Sequence, residues 1–268
     1  MVELLVVIAI VAILAALLLP ALSRSKARAE ALMCLNNTKH LALAWTMYSS
    51  DNQDRLAYNV DADPTQGMFA PTGTPNWVNN TMDWSANPAN TNLDFVSTSA
   101  LGPYAGYSAS LFHCPSDKAL SPVQKAAGWS GRVRSVSMNA MVGDPGVPAN
   151  GGTAPVSGYQ QYVKESDFLE SASSIFVFLD EHPDSINDGN FLNSPAAFEW
   201  LALPGSYHNG GGSFSFADGH AEVHRWHDDS TVCAPQPSAS GIPLLLRQSQ
   251  NTDFNWVMRH MTAQLSVH

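Results

Sequence analysis

The segment from Leu179 to Asn190, LDEHPDSINDGN, contains a dense group of oxygen ligands. Its four carboxylates are those of Asp180, Glu181, Asp184 and Asp188. Carboxylates so close in sequence repel one another unless a cation or several backbone N–H groups lie between them, and Ca²⁺ suits flexible sites made of oxygen ligands. The pattern therefore predicts a calcium site formed by these four residues, although it does not match the EF-hand loop. A solvated, turn-rich acidic loop explains the pattern equally well.

A second group of metal-binding side chains follows the pair Asp218-Gly219. His220, Glu222 and His224 alternate, so in a strand they would lie on one face, with His227 nearby. Such a face can hold zinc or another transition metal, as in a metal-dependent hydrolase. The spacing, however, differs from the helical H-E-x-x-H of metalloproteases. Because short surface strands commonly expose His and Glu, a solvated face is the favoured interpretation.

Motifs for other kinds of chemistry are missing from the sequence. There is no G-x-S-x-G, and Gly210-Gly211-Gly212 is not followed by the Lys and Ser or Thr of a phosphate-binding loop. We therefore expect no catalytic residues and no enzyme activity. The net charge is −10, so a phosphate backbone is not attracted to the chain and no nucleic-acid partner is expected. Charged residues make up only 13% of the chain, which indicates a neutral-polar, loop-rich surface.

The first segment of the chain is apolar enough to partition from water into a bilayer. From Leu4 to Leu22, nineteen consecutive residues lack a charged or hydrogen-bonding side chain. As a helix this run would be about 28 Å long, close to the ~30 Å hydrocarbon core of a bilayer. The basic residues Arg24, Lys26 and Arg28 follow the run, whereas a secretory signal peptide carries its basic residues before the apolar core. Glu3 is costly to bury at the start of such a helix and so marks function or pairing, whereas for a lone Glu an acid at the membrane interface beside the N-terminus is the favoured interpretation.

The string MVELLVVIAIVAILAALLLPALSRSKARA closely resembles the N-terminal segment of type IV pilins and type II secretion pseudopilins. Glu3 and Pro20 keep the seventeen-residue separation of that family's glutamate and helix-breaking proline, and both lie two positions early. The family's basic leader, cleavage-site glycine and first mature residues do not precede Glu3. We therefore expect the numbering to start from an internal Met or from a truncated start.

The resemblance implies a structural subunit of an extracellular or periplasm-spanning helical filament, either a pilus or a pseudopilus. Its partners would be further copies of itself, the prepilin peptidase and the inner-membrane assembly machinery. The protein would lie in the inner membrane before assembly and at the cell surface afterwards. Glu3 would pair with the N-terminal amine of a neighbouring subunit, and Pro20 would kink or locally melt the helix. The alternative is a membrane-anchored hydrolase or ligand-binding domain that uses the His and acid clusters.

Three further motifs resemble a branch of pilin-like proteins with large C-terminal domains. They are CLNNTKHLALAWTMYSSDNQDRL from Cys34, CPSD from Cys114, and a histidine separated by nine residues from Asp-Gly, at His208, Asp218 and Gly219. In this structural signature His208 would hydrogen-bond the end of a hairpin. The resemblance also implies a Cys34–Cys114 disulfide, for which two buried free thiols are the alternative. Some pseudopilins bind calcium in their C-terminal region, which is consistent with the acidic loop.

These observations predict an α+β, pilin-like fold with a long N-terminal helix and a C-terminal head. Residues 1–50 would form the transmembrane and filament-core helix, and residues 51–268 the globular head with a small antiparallel sheet and long loops. Strands are expected at Val133–Met138, Ile175–Asp180, Ser213–Ala217 and Ala221–Trp226, with Asp218-Gly219 turning between the last two. Short helices are expected near Leu93–Ala100 and Ser166–Ser171. The tail from Asp253 to Val267 is expected to be an amphipathic helix capped by Asp253.

Overall fold

The computed structural model describes residues 2–60, 68–69, 76–148, 156–168, 171–194, 200–237 and 251–265. Within these residues the helices are α1 (Val2–Asp51), α2 (Asp94–Ser97), α3 (Pro122–Ala126) and α4 (Thr252–Met261). The strands are β1 (Met68–Phe69), β2 (Val136–Asn139), β3 (Val147–Pro148), β4 (Phe176–Asp180), β5 (Asn190–Phe191), β6 (Gly211–Phe216) and β7 (Ala221–Arg225). Short 3₁₀ helices occur at Pro88–Asn90, Ala109–Phe112 and Glu165–Phe168.

The long N-terminal helix predicted from the sequence is confirmed, since α1 runs for 50 residues without interruption. Pro20 lies inside it, and the helical backbone continues on both sides, so the expected local melting at Pro20 does not occur. Proline removes one backbone hydrogen bond from a helix. Two hydroxyls bind carbonyls next to this position: Ser23 Oγ donates to the Pro20 carbonyl at 3.0 Å, and Ser25 Oγ donates to the Ala21 carbonyl at 2.9 Å.

A small sheet forms the centre of the head, in the strand order β5-β2-β4-β6-β7. The α+β prediction is confirmed, and so are the four predicted strands within a few residues. Three of the strand pairs are antiparallel, but β2 and β5 are parallel, so the sheet is mixed rather than purely antiparallel. β5 runs parallel to β2 because the antiparallel strand β4 lies between them along the chain, and after β4 the chain turns back through the acidic loop to the far side of β2.

The predicted hairpin turn lies between β6 and β7. Asp218-Gly219 forms it, and Gly219 has a φ of 86°, a left-handed conformation that glycine adopts without steric cost. A second, two-stranded sheet joins β1 to β3 in antiparallel register.

The second half of α1 packs against the sheet, with its most extensive strand contact on β6. Along β6 the side chains alternate between the two faces of the sheet. Ser213 and Ser215 lie on the face opposite Phe214 and Phe216, and these small side chains let α1 approach closely. Trp45 of α1 is completely buried and contacts Phe168 edge to face, with ring centroids 5.8 Å apart. The second half of the helix therefore belongs to the core of the head.

The opposite face of the sheet carries a second apolar core beneath α4. Phe214 of β6 contacts Trp256 of α4 edge to face at 5.1 Å, and Trp200 contacts Phe254 in the same way at 4.9 Å. The predicted tail helix exists, but it ends at Met261 rather than near Val267, and its predicted cap is wrong. Asn251 caps α4 by accepting hydrogen bonds from the backbone N–H groups of Asp253 and Phe254.

Asp253 itself has a different role. Its carboxylate accepts hydrogen bonds from the backbone N–H groups of His227 and Asp228, at 2.9 to 3.1 Å. It thereby ties the start of α4 to the segment that follows β7.

The packing of α1 on the sheet predicts unequal effects for two neighbouring substitutions. Trp45→Ala should lower the free energy of unfolding by about 3–5 kcal/mol, because it leaves a large cavity in the core beside Phe168. Leu43→Ala should change it by less than about 1 kcal/mol, because the Leu43 side chain is 56% exposed. Urea unfolding of the full chain in detergent measures both values. Equal losses would contradict the placement of this helix face.

Candidate functional site

Four side chains with metal-binding atoms meet in the interior of the head. They are Cys34, Cys114, Asp180 and His208, and all four residues are buried. Their ligand atoms all lie within 4.8 Å of one another. Across the part of the chain that the structure describes, this is the one group of His, Cys, Asp or Glu residues with that property. We call it the Cys/His/Asp cluster.

Each member of the cluster comes from a different part of the fold. Cys34 lies on α1, and it is the first buried residue of that helix among those described. Asp180 is the last residue of β4. Cys114 follows the 3₁₀ helix Ala109–Phe112, and its backbone N–H donates to Ser135 Oγ at 2.6 Å. His208 precedes β6, where its N–H donates to the Gly211 carbonyl at 3.0 Å.

The carboxylate of Asp180 is at the centre of the hydrogen bonds within the cluster. It accepts from the Cys34 thiol, with Sγ 3.0 and 3.1 Å from its two oxygens, and from the backbone N–H of Ser213 at 3.0 Å. His208 Nε2 lies 3.2 Å from Asp180 Oδ2 and 3.6 Å from Cys114 Sγ. One imidazole nitrogen therefore faces both a carboxylate and a thiol.

This environment changes the acid–base properties of three members. Burial raises the pKa of the Cys34 thiol well above its usual value, and the neighbouring Cys114 and Asp180 raise it further. The hydrogen bond from Cys34 lowers the pKa of Cys114 although burial opposes this. Burial lowers the pKa of His208, but hydrogen bonds to Asp180 and Cys114 outweigh it and raise the pKa to about 10.

The signature histidine does not act as the sequence predicted. His208 binds Asp180 and Cys114, not the end of the hairpin, where Asp218 instead accepts from the backbone N–H of His220 at 3.0 Å. The turn that holds His208 and the turn at Asp218-Gly219 lie at opposite ends of β6. The nine-residue spacing therefore corresponds to the length of that strand and its flanking residues.

Cys34 and Cys114 come together as the resemblance implied, yet both are free thiols in this structure. The predicted disulfide is therefore not formed here. Cys233 is also a free thiol, and it donates to the Ser230 carbonyl at 3.0 Å.

The four carboxylates predicted to bind calcium lie apart and have different hydrogen-bond partners. Asp180 belongs to the Cys/His/Asp cluster. Asp184 accepts from the Trp84 indole N–H at 3.1 Å and from the backbone N–H of Gln236 at 2.8 Å. Asp188 accepts from the backbone N–H of Asn190 at 2.9 Å. The calcium set is thus not brought together.

Glu181 is separated from Asp180 because successive strand residues point to opposite faces. Burial raises the pKa of Glu181 to about 7, although the hydroxyls of Ser137 and Ser185 and the guanidinium of Arg134 act in the opposite direction.

The alternating histidines His220, just before β7, and His224, within it, pack on aromatic rings. His220 stacks on Phe216 with ring centroids 4.2 Å apart, and His224 stacks on Trp256 at 3.6 Å. These residues and Glu222 do not form a metal-binding group. Burial lowers the pKa of His224 to about 4; Asp253 raises it, while His227 and His260 lower it further.

The residues predicted to direct assembly lie in the first half of α1. Every residue from Val6 to Ala29 is exposed, and the large apolar side chains described between Leu4 and Leu22 are 51 to 70% exposed. Glu3 lies in the first turn of α1, and its side chain is outside the described part of the structure. By length and composition α1 could cross a membrane, as a membrane anchor or a signal sequence does.

Comparisons of the chain with known protein families, with curated proteins and with solved structures find no match.

The low pKa of His224 predicts a pH dependence. The ordinary pKa of histidine is about 6.5, so the folded state resists a proton that the unfolded chain accepts. This contribution to stability is fully present above pH 6.5 and is lost as the pH falls toward 4. In His224→Gln, the urea midpoint should therefore fall less between pH 7.5 and pH 5 than it does in the wild type.

His40→Gln, which changes an exposed histidine of α1, controls for the loss of one histidine. Parallel pH profiles of the wild type and His224→Gln would contradict the prediction.

Proposed function

We propose that this protein is a non-enzymatic subunit of a helical filament of the type IV pilus or pseudopilus kind. The observation that supports this most directly is the division of α1. Its first half exposes an unbroken apolar surface, while its second half is part of the core of a folded head. A helix built in this way needs an environment other than water for its first half and carries a folded domain on its second half.

Two environments would satisfy the apolar half in turn. A bilayer would hold it before assembly, because the span matches the thickness of the hydrocarbon core. In the filament, the same half would pack against its copies from neighbouring subunits. Leucine and isoleucine side chains pack about as well on lipid as on one another, so apolar contact alone gives little preference for association in the membrane.

Glu3 would provide that preference and the register of assembly. An unpaired carboxylate in an apolar bundle is costly, and the N-terminal amine of a neighbouring subunit can compensate for it. The pair forms only when the next subunit is displaced by one fixed step. The resemblance to pilins and pseudopilins at Glu3 and Pro20 supports this role. The same resemblance suggests the inner membrane, prepilin peptidase and assembly machinery as the setting and partners, and the cell surface as the destination.

Replacing Glu3 should impair assembly and leave the head folded. Glu3→Gln and Glu3→Leu keep the length of the apolar span, so both variants should still enter the membrane. Filament yield should nevertheless fall by at least about tenfold, because the charge pair is lost. Electron microscopy of sheared surface material and blotting of the membrane fraction measure the two quantities.

Glu222→Gln is the matched control, since it removes an exposed carboxylate from β7 of the head and should leave the yield unchanged. Normal filaments from both Glu3 variants would refute the pairing. An unfolded head in either variant would contradict the proposal that the head folds independently of the first half of α1.

A further inference from the structure

The Cys/His/Asp cluster has the ligands of a structural transition-metal site. It provides two sulfur atoms, one imidazole nitrogen and one carboxylate oxygen. Four ligands of this kind satisfy the tetrahedral preference of Zn²⁺, and thiolates favour zinc-like ions over Ca²⁺ or Mg²⁺, which take oxygen ligands. We propose that Cys34, Cys114, Asp180 and His208 bind one Zn²⁺ ion.

The distances between the ligand atoms suit such an ion. Zinc bonds of about 2.0–2.3 Å place the corners of a tetrahedron about 3.3–3.8 Å apart. The contacts of Asp180 with Cys34 and His208 are 3.0 to 3.2 Å, the contact between Cys114 and His208 is 3.6 Å, and no pair exceeds 4.8 Å. Shifts of less than about 1 Å, some outward and some inward, therefore bring the four atoms to bonding distance.

The surroundings of the cluster favour a closed site over a catalytic one. The four side chains supply a full set of four ligands, and all four residues are buried. A structural zinc site is closed in this way, whereas a catalytic one keeps an open position. The backbone N–H of Ser213 holds one oxygen of Asp180 at 3.0 Å and thereby fixes the carboxylate. Cysteine binds a metal as the thiolate, so both thiols give up their protons on binding, and coordination bonds replace the hydrogen bonds among the four side chains.

The position of the site gives the ion a structural role. Cys34 is the first residue of α1 that is buried among those whose side chains the structure describes, and the other three ligands belong to the head. The ion would therefore fasten the helix at the point where it leaves the head. The ligands span residues 34 to 208, and a cross-link that closes long loops restricts the unfolded chain strongly. The proposal does not depend on filament assembly, because it concerns the folded head.

Metal analysis of the full chain tests the site. The protein is purified in detergent under reducing conditions without a chelator, and elemental analysis should find about one zinc per chain. Replacement of zinc by Co²⁺ should give the visible and near-ultraviolet bands of tetrahedral cobalt with thiolate ligands. A chelator should lower the melting temperature, and Zn²⁺ but not Ca²⁺ should restore it.

Substitutions separate the cluster from the third cysteine. Cys34→Ser, Cys114→Ser and His208→Gln should each weaken zinc binding by at least about a hundredfold. Cys233→Ser, at a thiol outside the cluster, should leave it unchanged. The Co²⁺ spectrum of the wild type tests the site even if a variant fails to fold.

Three results would overturn the proposal. One is less than a tenth of an equivalent of zinc in reduced protein equilibrated with micromolar Zn²⁺. Another is a Cys34–Cys114 disulfide whose reduction exposes no zinc site. The third is Ca²⁺ alone restoring the melting temperature.

Discussion

The close packing of α1 on the small residues of β6 is the contact on which the rest of the structure depends. Ser213 and Ser215 leave room for the helix, and larger side chains there would push it away from the sheet. This approach buries Trp45 and brings Cys34 to the carboxylate of Asp180. The same contact determines where α1 leaves the head, because no described residue before Cys34 in the helix is buried. The buried core, the Cys/His/Asp cluster and the point where α1 leaves the head therefore all depend on this packing.

The division of α1 also connects stability to assembly. Its second half gains its stability from the head, whereas its first half has no such partner among the described residues. Burial of apolar surface contributes about 25 cal/mol per Å², so leaving the first half in water would be strongly unfavourable. A bilayer or a bundle of copies removes that cost without altering the head. A metal ion at Cys34 would stiffen the junction between the two halves.

The sequence predicted the features that local patterns determine. An uninterrupted apolar run predicts α1, and Asp218-Gly219 between two alternating segments predicts the β6–β7 hairpin. Features that depend on distant parts of the chain could not be predicted in this way. The parallel pairing of β5 and the meeting of Asp180 with His208 arise only when the sheet forms. The carboxylates of the acidic loop do not lie together as expected, for the same reason. Asp180 and Glu181 are adjacent in sequence, but successive side chains of a strand point to opposite faces.

Native-state hydrogen exchange of the full chain in detergent micelles, measured across a urea series, tests the central claim most directly. If the second half of α1 belongs to the core, amides of residues 34–51 will exchange through the same opening as β4 and β6, with the same dependence on urea. The exchange of amides of residues 6–22 will depend differently on urea, because the micelle rather than the head surrounds that segment. The account is contradicted if residues 34–51 exchange rapidly while the sheet stays protected, or if residues 6–22 open together with the head.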